Sequence, residues 1–134
     1  MIDPEGSRKL TAILVADVAG YSRLMQMEDR ATVATLDAYR GVFREHVTAH
    51  DGRIVDTAGD SVLAVFDSPI EAVRTAYDIQ SALTERNEAL TEERRMYFRI
   101  GVNLGDVISK ADGTVYGMAS ISLHGWKALP SQAA

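Results

Sequence analysis

Residues 10–15 (LTAILV) form an unbroken apolar and β-branched run. A strand with one wet face alternates apolar and polar side chains, whereas an unbroken run suits a buried strand. The run ends before Asp17, and Val18, Ala19, Gly20, Tyr21 and Ser22 follow as a glycine-containing turn. A buried strand feeding such a turn often presents function at its carboxyl end. Residues 1–8 are polar and short, and a flexible N-terminal tail is expected there.

Further along, Val33, Leu36, Val42, Phe43 and Val47 fall near helical spacing, which predicts a helix over 29–50. Asp29 is placed to cap its start and Asp51-Gly52 to end it. Residues 53–57 and 62–66 are short β-rich runs, and Ala58, Gly59, Asp60 and Ser61 between them predict a hairpin turn. Ser68-Pro69-Ile70-Glu71 reads as a helix start, with serine as cap, proline in the first turn and glutamate closing a capping box. Ile70, Val73, Tyr77 and Leu83 are expected to form that helix's apolar face. Residues 87–95 are polar and predict a loop. Residues 97–103 alternate as a strand does, and Val107-Ile108 start another after Gly105-Asp106. The order βαββαβ predicts an α+β domain: a ferredoxin-like antiparallel sheet with helices on one face.

Composition narrows the function classes. With 134 residues, 46% hydrophobic and 25% charged, the chain has the make-up of one soluble globular domain. Its 14 basic and 19 acidic side chains leave a net charge of −5, which argues against nucleic acid or an anionic membrane as partner. Cysteine is absent, so disulfides, zinc thiolates and thiol catalysis are excluded. No apolar run approaches the ~20 residues of a membrane segment, and the start lacks a signal-peptide layout, so a cytoplasmic location is expected.

The chemistry-bearing positions are few. In a ferredoxin-like sheet the first strand lies beside a strand of the hairpin. Asp17 and Asp60 can therefore converge on one edge, where paired carboxylates can hold Mg²⁺. Alone, Asp60 reads as turn chemistry, and Asp17 alone is evenly balanced; the pair in this topology favours metal. The turn through Ser22 can offer backbone N–H groups to a phosphate, although GxxxxGK[ST] is absent. His46 and His50 are four residues apart, but glutamate precedes His46, so HExxH is not matched and a solvated helix face is expected. Arg94-Arg95 beside Glu92-Glu93 reads as an exposed charged loop, and Tyr39, Phe43 and Tyr77 as core.

Three segments in this order and spacing are more specific than any one position. LTAILVADVAGYS (10–22), GRIVDTAGDSVLAVF (52–66) and FRIGVNLGDVI (98–108) together resemble the catalytic domain of class III nucleotide cyclases, in the bacterial adenylate/guanylate branch. The resemblance covers about residues 8–117. It implies the nucleotide cyclase fold, and conversion of a nucleoside triphosphate to its 3′,5′-cyclic nucleotide and pyrophosphate. It implies two Mg²⁺ or Mn²⁺ ions held by residues matching Asp17 and Asp60, with the Val18 backbone as a further ligand. Ala19, Gly20, Tyr21 and Ser22 match the phosphate contacts. Asp56 and Thr114 match the two base-selecting positions; lysine at the first marks many adenylate cyclases and glutamate guanylate cyclases. The partner implied is a second copy or another cyclase domain, arranged head to tail.

The resemblance stops near Gly117. The family continues Asp-x-Val-Asn-x-Ala-x-Arg, where the asparagine orients the ribose and the arginine stabilises the transition state. Residues 118–134 instead read MASISLHGWKALPSQAA, with Lys127 their only charged residue. A G restored before the Met118 codon lets permitted codons read Asp-Gly-Val-Asn-Ile-Ala-Pro-Arg-Leu-Glu-Gly-Leu-Ala-Glu-Pro-Gly-Gly. The single codons of Met118 and Trp126 are both compatible with that reading. The expected organisation is a tail at 1–8, a partial cyclase domain at 9–117, incomplete at its C-terminus, and an atypical, out-of-frame tail at 118–134. Turnover of such a chain is expected to be impaired. The alternative is a non-catalytic module that binds metal or nucleotide, or pairs with another cyclase domain. A phosphoacceptor receiver domain needs strict βα alternation, and the hairpin at 58–61 argues against it.

Overall fold

A computed structural model describes residues 7–109, 115–116 and 128–129, with side chains described from 10 to 105. Thr114 and most of the segment after Gly117 lie outside these residues.

The first strand, β1, spans Ser7–Val18. It thus takes in Ser7 and Arg8 of the expected tail, which pair opposite Ser109 and Ile108. A short helix, α1 (Tyr21–Met27), follows directly, so only Ala19 and Gly20 remain of the expected turn. Sequence periodicity misses α1 because its seven residues bury only Leu24. Helix α2 covers Asp29–Ala49. Its cap position is Glu28, and Asp29 is the first helical residue. Strands β2 (Arg53–Asp56) and β3 (Val62–Phe66) form the expected hairpin. Helix α3 spans Pro69–Asn87, with the Ser68 hydroxyl accepting from the Glu71 N–H at 3.3 Å. Glu71 does not close the box; its carboxylate meets Arg74 and His50 instead. After a short 3₁₀ turn at Glu92–Arg94, β4 runs unbroken over Phe98–Ser109. Gly105-Asp106 lies inside that strand and does not divide it. The short strands β5 (Val115–Tyr116) and β6 (Ala128–Leu129) both pair with β4.

The sheet order β2-β3-β1-β4 with antiparallel pairing is the predicted ferredoxin-like arrangement. Central β1 pairs with β4 along its twelve residues and with β3 from Ala12 to Ala16. From Thr11 to Leu14 its apolar run is buried on both faces, while Leu10 at its head is exposed and Val15 half-buried. Ala12, Leu14 and Ala16 enter the main core with α2 and α3, while Ile13 packs with Val65 in a second cluster. The main core centres on aromatic rings, Phe43 and Phe98 lying 4.9 Å apart between centroids. Each fully buried phenylalanine contributes roughly 1.5–3 kcal/mol of hydrophobic stabilisation.

Two helix faces differ from expectation. Ile70, Val73 and Tyr77 are exposed, Tyr77 by 48%, and Val33 on α2 is exposed too. The buried face of α3 is Ala72, Thr75, Ala76, Ile79, Gln80, Leu83 and Asn87. Small alanines let the helix sit close to the sheet, and the polar members find partners: Gln80 Nε2 donates to the Phe98 carbonyl at 2.9 Å. The end of α2 is set by Asp51, in the left-handed region at φ 61°. Gly52 is required next, because a Cβ there would lie 2.3 Å from the Phe66 ring.

Candidate active site

At the carboxyl end of β1, Asp17 and Val18 are brought beside the loop that carries Asp60. Ala16 pairs with Val62 at the start of β3, which brings the preceding 58–61 loop beside Asp17 and Val18. The loop is folded on itself: the Ser61 N–H and hydroxyl both donate to the Ala58 carbonyl, and Gly59 takes φ 57°. Asp60 Oδ2 accepts the Val18 N–H at 3.2 Å. The hairpin aspartate therefore meets the backbone of the residue that follows Asp17.

On the other side, Asp17 faces Arg99 across the β1–β4 ladder. The guanidinium grips it as a fork, Nε donating to Oδ1 at 2.8 Å and Nη2 to Oδ2 at 2.6 Å. The hydrogen bonds from Arg99 to Asp17, then the charges of Asp17 and Asp60, push the Arg99 pKa above its ordinary value. Arg99 lies inside the FRIGVNLGDVI segment, and no local signal in the sequence marks it. Its partner is 82 residues away, and only the strand register brings the two together.

The turn residues divide. The Ala19 N–H is taken by the Tyr97 carbonyl at 2.8 Å. Gly20 caps α1 at φ 67°, and its carbonyl accepts from the Leu24 N–H. Tyr21 and Ser22 are the first two residues of α1, where N–H groups have no partner within the helix. Asp56 is exposed at the end of β2, one residue before Thr57, whose carbonyl accepts from Arg40 Nη2 at 3.1 Å.

Other expected positions take different roles. His50 is not simply solvated: Nδ1 lies 2.9 Å from Glu71 and Nε2 2.9 Å from Asp78, clasping α2 to α3. The hydrogen bond with Glu71, then that with Asp78, raises the His50 pKa above 6.5, and the His50 contact lowers that of Glu71. Arg95 is half-buried, its Nε donating to the carbonyls of Asn87 and Leu90. Asn87 was expected in a loop, yet it is buried and bonded to Tyr39 and Met96.

The donor set at the β1 end suits a hard divalent cation: two carboxylates and a backbone carbonyl, all oxygen. Among the described residues no three acidic, histidine or cysteine side chains cluster for a metal. Mg²⁺ needs no such cage, since one or two carboxylates with water and substrate phosphate oxygens complete its shell.

The architecture is a ferredoxin-like α+β sheet with Asp17 and Asp60 at the carboxyl end of its central strand. Residues 5–125 match the adenylate and guanylate cyclase catalytic domain, and the chain belongs to that family. A Rhizobium meliloti relative named "Putative adenylate cyclase 3" is 40% identical over 111 residues, 82% of this chain and 19% of its own length. The adenylate cyclase of Streptomyces coelicolor is 30% identical over 116 residues, 86% of this chain and 29% of that one. The crystal structure of an adenylate/guanylate cyclase/hydrolase from Silicibacter pomeroyi superposes with a TM-score of 0.73 at 39% identity, covering 84% of this chain and 65% of that one. The chain thus spans under a third of the length of these two curated relatives. Among the described residues, no helix is long and apolar enough to cross a membrane.

Proposed function

We propose that this chain carries the metal- and triphosphate-binding part of a nucleotide cyclase, which converts ATP or GTP to the 3′,5′-cyclic nucleotide and pyrophosphate with Mg²⁺ or Mn²⁺. The observation that supports this most is the bond from the Val18 N–H to Asp60, which sets the second carboxylate beside the first. In this reading Asp17, Asp60 and the Val18 carbonyl hold the cation, and the start of α1 through Gly20, Tyr21 and Ser22 faces phosphate. The bound cation supplies a lowered pKa at the ribose 3′-OH and charge compensation on the leaving group. The chain's own residues position it: β1 and β4 hold Asp17, and the folded 58–61 loop holds Asp60. Ala19 contributes backbone position and no free N–H, since its amide is bonded to Tyr97.

Asp56 and Thr114 are the base-selecting positions in this reading. An acceptor at 56 suits the donor edge of guanine, and threonine at 114 serves either base. A nucleoside triphosphate substrate places the reaction in the cytoplasm. The partner is a second copy or another cyclase domain. We also place the partial cyclase domain at 9–117 and read 118–134 as out of frame, although the family match runs on to residue 125. The nucleotide sequence across Gly117 decides this: a +1 correction that yields no in-frame cyclase continuation overturns it.

The composition of 118–134 favours a second reading, a non-catalytic module that binds metal or nucleotide or pairs with another cyclase domain. Incubation with Mn²⁺-ATP and Mn²⁺-GTP separates the two. Cyclic product that disappears in Asp17→Ala supports the enzyme. No product, with Mn²⁺-dependent nucleotide binding that Asp17→Ala abolishes, supports the module. Product or binding unchanged in Asp17→Ala overturns the site.

A further inference from the structure

Asp17 and Asp60 are in unequal states. Both oxygens of Asp17 are engaged by the Arg99 fork at 2.8 and 2.6 Å. Asp60 accepts a single backbone N–H and, among the described residues, makes no ion pair. A bidentate guanidinium covers the same oxygens that a cation would take. The Arg99 side chain is nevertheless 59% exposed, while that of Asp17 is 20% exposed. The guanidinium is thus free to swing into water, and the carboxylate is not.

We propose that Arg99 is a cation placeholder: it holds and neutralises Asp17 until a divalent cation, engaged first at Asp60, displaces it. This rests on the metal role given to Asp17 and Asp60 above. A purely structural role for the ion pair is disfavoured by the register. The β1–β4 ladder runs from Ser7↔Ser109 to Val18↔Phe98, so one exposed pair near its end adds little to strand pairing. The same exposure limits the size of the effect. An exposed fork competes weakly, so its removal tightens divalent binding about tenfold rather than a thousandfold.

The test uses the full chain without nucleotide and measures free Mn²⁺ by electron paramagnetic resonance. Arg99→Gln is expected to bind Mn²⁺ about tenfold more tightly than the unaltered chain, and Arg99→Lys to fall between. Asp17→Asn and Asp60→Asn are expected to bind more weakly than the unaltered chain. If both asparagine variants bind Mn²⁺ as the unaltered chain does, the metal reading itself fails. If they weaken binding but neither Arg99 variant tightens it, the placeholder fails and the metal reading stands. Thermal melts establish that each variant is folded, and Arg99→Lys carries the test should Arg99→Gln not fold. A second readout uses the unaltered chain: the Arg99 Nε–H resonance is expected to move on Mg²⁺ addition as the fork opens. A resonance that stays fixed at saturating Mg²⁺ overturns the exchange.

Discussion

Asn87 shows how much a single polar side chain can carry unannounced. It stands at the head of a polar stretch, which reads as loop, yet it is 4% exposed. Its Oδ1 accepts from the Tyr39 hydroxyl at 2.6 Å and the Met96 N–H at 3.1 Å, and its Nδ2 donates to the Met96 carbonyl at 2.9 Å. Asn87→Ala leaves three buried groups without partners and is expected to cost about 3 kcal/mol. Urea unfolding measures it, and a loss under about 1 kcal/mol contradicts the account. His50 gives a pH dependence of opposite sign on its two flanks. Facing a carboxylate from each ring nitrogen, it is held protonated. Its folded pKa is raised, so its stabilisation is full below the ordinary 6.5 and is lost as pH climbs through the raised value. Glu71 is lowered, so its share is full above the ordinary 4.5 and is lost as pH falls through the lowered value. The clasp is therefore complete between those two ordinary values. The melting temperature of the unaltered chain should exceed that of His50→Gln most in that window, and an equal gap at all pH values speaks against the clasp. The pair is partly exposed, so the gap should be small.

At the scale of elements, legibility depended on whether a signal was local. The β1 run, the Ser68-Pro69 cap and the hairpin were legible because each is carried by neighbouring residues under one physical rule. The α3 face was not. Ile70, Val73 and Tyr77 have helical spacing and large apolar side chains, but the sheet is met by Ala72 and Ala76 one step round the helix. Close approach over small residues outweighs the burial that bulkier ones would offer. Arg99 was invisible for a related reason: its meaning comes from register with a strand at the other end of the chain. Two substitutions test the corrected face. Tyr77→Ser should change stability by less than about 0.5 kcal/mol. Ala76→Leu, which overfills the α3–sheet contact, should cost about 1–3 kcal/mol. Denaturant melts compare them, and a reversed order would contradict burial of the Ala72 and Ala76 face.

Across the whole molecule, the candidate site lies where three separate stretches meet: the end of β1 at Val18, the 58–61 loop before β3, and the start of β4 at Phe98–Arg99. The first two were legible as a carboxylate pair from the topology alone. In the family pattern the rest of a cyclase centre follows Gly117; we read residues 118–134 as out of frame, while the family match runs to residue 125. If that reading holds, restoring one base before the Met118 codon returns the asparagine and arginine. A preorganised group at developing charge is worth on the order of 10²–10³ in rate. The most direct measurement is therefore cyclic nucleotide formation from Mn²⁺-ATP and Mn²⁺-GTP by the unaltered chain, the frame-restored chain, and the frame-restored chain with Asp60→Asn. The account predicts weak or no turnover in the first, a gain of at least about a hundredfold in the second, and a return to background in the third. A restored chain that forms no cyclic product, or one whose turnover survives Asp60→Asn, contradicts it.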